Sequence, residues 1–266
     1  MMGNKIFALG DIHGKWQHIR DFHLRIKTRY DFSETRKHTL ILLGDAGLNY
    51  FFNERDDKVK EKLGDFPYTY FVIRGNHEER PCICMDKNPD KWHIEEYWGN
   101  VVYVENKYPY IKYALDGAAI YRAEVDNKTY SILSLPGAYS IDKFYRLQNG
   151  WSWFEFEQMT PWEREQALRL IEQYPSVDIV LSHTCPIIFE PTDLFLSFID
   201  QSTVDKTMER LLGEIEYQLD YKAWLWGHYH AFRDYPRADG KKKLMLFDND
   251  AIDVIEYLEK DEVKKL

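Results

Sequence analysis

Short apolar runs that stop abruptly at a polar, metal-competent residue organise this chain. Three lie near its start: Ile6-Phe7-Ala8-Leu9-Gly10-Asp11-Ile12-His13, Thr39-Leu40-Ile41-Leu42-Leu43-Gly44-Asp45 and Tyr70-Phe71-Val72-Ile73-Arg74-Gly75-Asn76-His77-Glu78. Two more come downstream, Ile179-Val180-Leu181-Ser182-His183 and Trp224-Leu225-Trp226-Gly227-His228-Tyr229-His230. Short apolar runs bounded by glycine predict buried strands, and open α/β sheets place ligands just beyond the carboxyl ends of such strands. Between them, helical patterning predicts helices over residues 16–30 and 55–63. Another is predicted from the Thr160-Pro161-Trp162-Glu163 start to about Tyr174, where threonine caps and proline takes the first helical position. A longer helix is predicted over residues 203–217. Residues 118–123 and 128–133 read as a β-hairpin, and Asp248-Asn249-Asp250 as a polar turn. The order is β-α-β-α-β, an irregular stretch, further strands, then α-β-α-β and a final pair of strands.

Five strand ends carrying Asp, His, Asn and His predict one shared site. Carboxylate, imidazole and amide oxygen together suit Mn, Fe or Zn, with no need of cysteine. Two such ions roughly 3.5–4 Å apart are the recurrent device of phosphatases and nucleases. One carboxylate must then bridge them, and Asp45, alone after its strand, is the candidate. His77 adjoins Asn76 but is aimed differently, so it fits a proton-transfer role near neutrality.

Gly10-Asp11-x-His13, Gly44-Asp45, Gly75-Asn76-His77-Glu78, His183 and Gly227-His228-x-His230 resemble, complete and in order, the signature of the calcineurin-like metallophosphoesterases. The resemblance spans residues 10 to 230. It implies an α/β four-layer αββα sandwich with a dinuclear centre. Asp11, His13, Asp45 and His230 would hold the first of two divalent ions, and Asp45, Asn76, His183 and His228 the second. A hydroxide between the ions would attack phosphorus, with His77 as general acid or electrostatic clamp at the leaving oxygen. Gly10-Asp11-Ile12-His13-Gly14 and Arg74-Gly75-Asn76-His77-Glu78 resemble the phosphoprotein phosphatase branch. That branch follows its Gly-Asp with an Asp-Arg pair, whereas this chain reads Gly44-Asp45-Ala46-Gly47-Leu48-Asn49. The ending Gly227-His228-Tyr229-His230 is similar to the phosphodiesterase-type branches instead.

Composition narrows the partners. The chain has 266 residues, enough for one full core, and no Pro/Gly/Ser-rich linker divides it, so one domain is expected. Lys and Arg total 35 against 44 Asp and Glu, a net charge of −9. That balance opposes sequence-independent nucleic-acid binding, which needs clustered basic surface. No signal-like segment or bilayer-length apolar run is evident, and three cysteines fit a reducing compartment, so a cytoplasmic protein without membrane partners is expected. Cys82-Ile83-Cys84 is too close-set for a zinc site, and Cys185 reads as a small packed side chain.

Residues 80 to 160 carry the substrate question, being aromatic-rich and outside the motifs. A loop over Gly137-Ala138-Tyr139-Ser140-Ile141-Asp142-Lys143-Phe144-Tyr145-Arg146 would open toward the metals. Arg146 or Lys143 is therefore the candidate replacement for the missing phosphate-gripping arginine, with Arg146 favoured for its planar fork. Trp151 or Trp153 is a candidate to stack on a nucleobase. His18, His23, His38 and His93 read as ordinary polar residues, and Arg74 as a buried partner of a carboxylate. The expectation is a metal-dependent phosphoesterase acting on a small phosphomonoester, phosphodiester or nucleotide. The alternatives are a phosphoprotein phosphatase, a nuclease or a metal-free scaffold.

Overall fold

A computed structural model describes residues 3–197, 199–236, 239–260 and 262–266. The chain opens with β1 (Ile6–Leu9), α1 (Gln17–Ile26), β2 (His38–Leu43), α2 (Glu54–Gly64) and β3 (Tyr68–Ile73). It continues through α3 (Pro81–Lys87), β4 (Trp92–Tyr97), β5 (Asn100–Glu105), β6 (Ile111–Tyr113), β7 (Ala119–Val125) and β8 (Lys128–Leu135). Then come α4 (Lys143–Gln148), α5 (Pro161–Gln173), β9 (Ser176–Ser182), α6 (Thr207–Gln218) and β10 (Asp220–Trp226). It closes with β11 (Arg233–Asp234), β12 (Lys242–Met245), β13 (Ala251–Asp253) and α7 (Val254–Glu259).

The strands form two mixed sheets, ordered β13-β1-β2-β3-β6-β5-β4 and β11-β12-β10-β9-β8-β7. Strands buried on both faces need apolar residues at every position, and β1 shows why. Ile6 and Ala8 face the second sheet, meeting Ile179, Leu181 and Leu225 in a shared core. Phe7 and Leu9 face outward onto Ile19, Phe22 and Ile26 of α1, which share one helix face by their spacing. The second sheet is covered likewise: Val180, Trp224 and Trp226 pack under Ala167 and Ile171 of α5 and Leu212 and Ile215 of α6. The layers are therefore αββα, as expected. No described helix is long and apolar enough to cross a membrane.

Several boundaries differ from the sequence expectation. The helix read over 16–30 stops at Ile26, and Tyr30 turns its ring against Phe7. The helix read over 203–217 starts at Thr207, where the Asp205 carboxylate accepts the Thr207 N–H. The stretch read as irregular after residue 80 instead supplies α3 and the hairpin β4–β5, which extends the first sheet. Its strand Trp-His-Ile-Glu-Glu-Tyr lies at the sheet edge and is mostly exposed, so no apolar run marks it. The loop read through Arg146 winds into α4 from Lys143. Among the described residues three final strands, β11, β12 and β13, precede α7, which Asp253 caps by accepting the N–H groups of Ile255 and Glu256.

The start of α5 behaves as read. Thr160 Oγ1 accepts the Glu163 N–H and the Glu163 carboxylate accepts the Thr160 N–H, closing a capping box. Glu163 also takes both terminal nitrogens of Arg80, at 2.5 and 3.0 Å. In urea unfolding, Thr160→Ala is expected to cost about 1 kcal/mol. Glu163→Ala, which strands a buried guanidinium, is expected to cost about 3 kcal/mol. Equal losses would mean that the ion pair adds nothing to the cap.

Candidate metal centre

β1, β2 and β3 are parallel neighbours in one sheet, and β9 and β10 are parallel neighbours in the other. Their carboxyl ends meet at one edge of the sandwich, bringing together the residues that follow each apolar run. His228 N–H donates to both oxygens of Asp11, at 3.1 and 2.8 Å. His77 N–H donates to Asp45 Oδ1 at 2.8 Å. His13 Nε2 and His230 Nε2 lie 2.9 Å apart, and His230 Nε2 is 3.7 Å from Asp11 Oδ2. His183 Nε2 is 2.9 Å from Asn76 Oδ1 and 3.5 Å from Asp45 Oδ2. The His228 ring packs edge-on against the His183 ring, centroids 4.9 Å apart. All seven expected ligands therefore sit in one cluster, and His77 borders it with its ring 5.4 Å from that of His13.

Local backbone makes this density possible. A Cβ on Gly75 or Gly227 would lie 2.0 Å from Asp45 Oδ1 or Asp11 Oδ1, so only glycine lets these loops reach the carboxylates. His13, Asp45, His228 and His230 all have positive φ, between 44° and 69°. Such backbone is unfavourable for residues with a side chain and gathers at functional sites.

The cluster's electrostatics fit divalent cations. Asp11 and Asp45 are almost fully buried, as is His183. Burial pushes the Asp11 carboxyl well up, helped by Asp45 and opposed by His183. Burial acts the same way on Asp45, but His183 and His77 outweigh it and hold it low. Burial would lower His183, yet Asp45 and Asp11 lift it to about 9. Burial depresses His13 to about 4 and also lowers His228 and His230. The lowered His13, His228 and His230 are the neutral imidazoles that metal binding requires, whereas Asp11 and His183 would each give up a proton to an arriving cation. His183 Nδ1 lies 2.7 Å from Leu43 O, which fixes its proton there and leaves Nε2 to face the acids. A proton on Nε2 fills the direction a cation would occupy.

Hydrogen-bond bookkeeping around Ser140 settles the Asn76 amide. Ser140 Oγ gives its one proton to Glu157 Oε2 at 2.6 Å. It must therefore accept from Asn76 Nδ2 and from Arg146 Nη1, at 2.9 and 3.0 Å. Asn76 Oδ1 is thus turned toward the cluster. Arg146 is fully buried, its Nη1 is 3.7 Å from Asp142 Oδ1, its Nε and Nη2 have no hydrogen-bond partner among the described residues, and Tyr50 lies under its guanidinium at 5.6 Å. Its charge also helps to lower His77 after burial, with Asp45 opposing.

Lys143, the other candidate cation, sets its ammonium 3.8 Å over the Trp153 ring. Trp153 is itself tied to Glu157 through Nε1, and Trp151 packs edge-on against Tyr145. Neither tryptophan lines the cavity beside His77. Arg74 meets Asp116 at 3.3 Å, as read. Arg74 Nη1 donates to Glu157 O, while Arg80 donates to Phe156 O and Gln158 O. Ser140 and Glu157 were not singled out from sequence; nothing in a lone serine and a distant glutamate signals that they meet. His18 pairs with Asn249 and Asp248, His23 with Tyr68, His38 with Asp31 O and His93 with Asn106. Cys185 is buried, and no described disulfide forms.

In metal-free protein the ion pair of His183 stabilises fully below its ordinary value near 6.5 and is lost as pH rises through about 9. The raised Asp11 adds a cost that also grows with rising pH, since ionisation of the buried acid is disfavoured. Thermal unfolding of chelator-treated protein is therefore expected at a lower temperature at pH 9 than at pH 6.5. Unchanged midpoints across that window would contradict the ion pair.

Comparison with known proteins places this geometry. The chain is similar in structure to TT1561 of Thermus thermophilus, with a TM-score of 0.56, 12% identity, and coverage of 98% of this chain and 97% of that one. A dimetal phosphatase from Danio rerio gives a TM-score of 0.49 at 11% identity, over 93% of this chain and 88% of that one. Phosphopantetheinyl hydrolase from Mycobacterium tuberculosis gives 0.46 at 12% identity, over 99% and 96%. The first likeness shows the fold. No curated protein matches significantly. The calcineurin-like phosphoesterase family model matches residues 4–232 of the 266, a span that contains every strand-end motif of the cluster. The chain belongs to the calcineurin-like phosphoesterase family.

Proposed function

We propose that this chain is a dinuclear-metal-dependent phosphoesterase for a small phosphorylated substrate. The observation that carries the reading is the convergence of donor side chains from both sheets, with Asp11, His13 and His230, and likewise Asp11, Asp45 and His183, offering ligand atoms within 4.8 Å of one another. Asp11, His13, Asp45 and His230 would hold one ion, and Asp45, Asn76, His183 and His228 the other. Mn, Fe and Zn all suit these donors. When bound, such ions supply Lewis acidity and a nucleophile at neutral pH.

The chain's own residues do the rest. Arg146 offers two nitrogens without a described partner, Nε and Nη2, to phosphoryl oxygens, in the planar fork that favours bidentate contact. His77, next to the cluster and faced by the Tyr50 ring, holds a proton for the leaving oxygen. Ser140 and Glu157 hold Asn76 and Arg146 in one fixed relation. Lys143 is engaged with Trp153, so Arg146 is the phosphate contact in this reading. The −9 net charge supports a small substrate over a nucleic-acid polymer.

Hydrolysis of p-nitrophenyl phosphate against bis-p-nitrophenyl phosphate with added Mn²⁺ tests the reading and ranks monoester against diester. Asp45→Asn is expected to lose bound metal and activity together. His77→Ala is expected to keep metal and lose turnover by ~10²–10⁴-fold. Ser140→Ala is expected to weaken metal binding by about 10–100-fold. Purified protein without stoichiometric metal and without metal-dependent turnover would favour the scaffold alternative.

A further inference from the structure

A cavity of about 230 Å³ opens beside the cluster, with His13 and His77 on its inner wall and Tyr50, Phe51, Val59 and Arg55 around it. We propose that this cavity is the leaving-group subsite, selecting phosphoesters whose alcohol carries a flat apolar ring bearing a second anionic group. The inference rests on the phosphoesterase reading above, because it is the assignment of His77 to the leaving oxygen that makes this side of the cluster the departure side.

The walls define the ring. Tyr50 lies nearly parallel to His77, at 22° with centroids 6.2 Å apart, and Phe51 stands edge-on to Tyr50 at 4.6 Å. Val59 of α2 completes an apolar surface. Flat groups stack on such faces regardless of their substituents. The volume is below the roughly 300–1,000 Å³ of drug-sized ligand sites and matches one ring system.

Arg55 defines the charge. Its guanidinium lies 4.9 Å from the Phe51 ring, and no described carboxylate pairs with it. Asp56 also borders the cavity, but no described ion pair joins it to Arg55. Its Oδ2 accepts the N–H groups of Tyr50, Phe51 and Phe52 at 3.0, 2.8 and 2.8 Å. Its Oδ1 is buried out of solvent contact. Asp56 therefore fixes the aromatic wall while Arg55 remains available to an anion. In the overall reaction water adds to phosphorus, the bond from phosphorus to the ring-bearing oxygen breaks, and that oxygen leaves with a proton as the free alcohol.

The test compares benzyl phosphate, 4-carboxybenzyl phosphate and 4-(aminomethyl)benzyl phosphate, whose leaving alcohols differ chiefly in distal charge, with phosphate release as the readout. The wild-type kcat/KM is expected to be about tenfold higher for the carboxylate than for benzyl, as one charge-assisted hydrogen bond provides, and lowest for the ammonium. Arg55→Gln is expected to collapse that ratio and Arg55→Glu to invert it. Calorimetric binding of 4-carboxybenzyl alcohol against benzyl alcohol reports on the cavity without turnover. Equal kcat/KM values across the three esters, or a ratio that survives Arg55→Gln, would overturn the proposal. If no ester is turned over above the Asp45→Asn background, the phosphoesterase reading fails. The alcohols then decide the cavity alone, and equal binding of the two would sink it.

Discussion

Two sheets held together by buried charge at one edge are the constraint on which the rest depends. Asp11 belongs to the first sheet and accepts its backbone donor from His228 of the second. His183 belongs to the second sheet and reaches back to Leu43 O of the first. Apolar packing fills the middle of the sandwich, but at this edge ionisable groups replace it. A buried acid is tolerable only when hydrogen-bonded and paired, so each carboxylate is tied to a backbone N–H from another loop. The same ties aim the donor atoms inward.

A second closed circuit builds on this clasp. Arg74 and Arg80 flank Gly75-Asn76-His77-Glu78 and together bind three consecutive carbonyls, those of Phe156, Glu157 and Gln158. The Glu157 side chain holds Ser140, and Ser140 holds Asn76 and Arg146. The circuit returns to the strand end where it began. A segment some eighty residues away in sequence thereby becomes the outer support of the cluster.

What could be read from the chain follows the same physics. β1, β2 and β3 are buried on both faces, as are the carboxyl halves of β9 and β10, so their composition marks them, and the glycine after four of the five marks where the loops turn in. The cap of α5 was legible because Thr160, Pro161 and Glu163 are local to one another. β4 was not, because an edge strand exposed to solvent carries Glu and His where a buried strand carries Val and Leu. Arg146 could be nominated from charge and position, but its burial and free N–H groups depend on α4, whose turn no local pattern announced. Ser140, Glu157, Tyr50 and Arg55 matter through contacts across long sequence separations, and only the fold creates these.

The left-handed backbone at His13, Asp45, His228 and His230 has a consequence for how this sequence can change. Each such residue costs about 1 kcal/mol relative to one at ease in that conformation, and glycine or asparagine would remove much of the cost. A search for thermal robustness that ignored chemistry would therefore drift toward replacing these four residues first. The most stable descendants of this chain and its most capable ones lie in different directions from it.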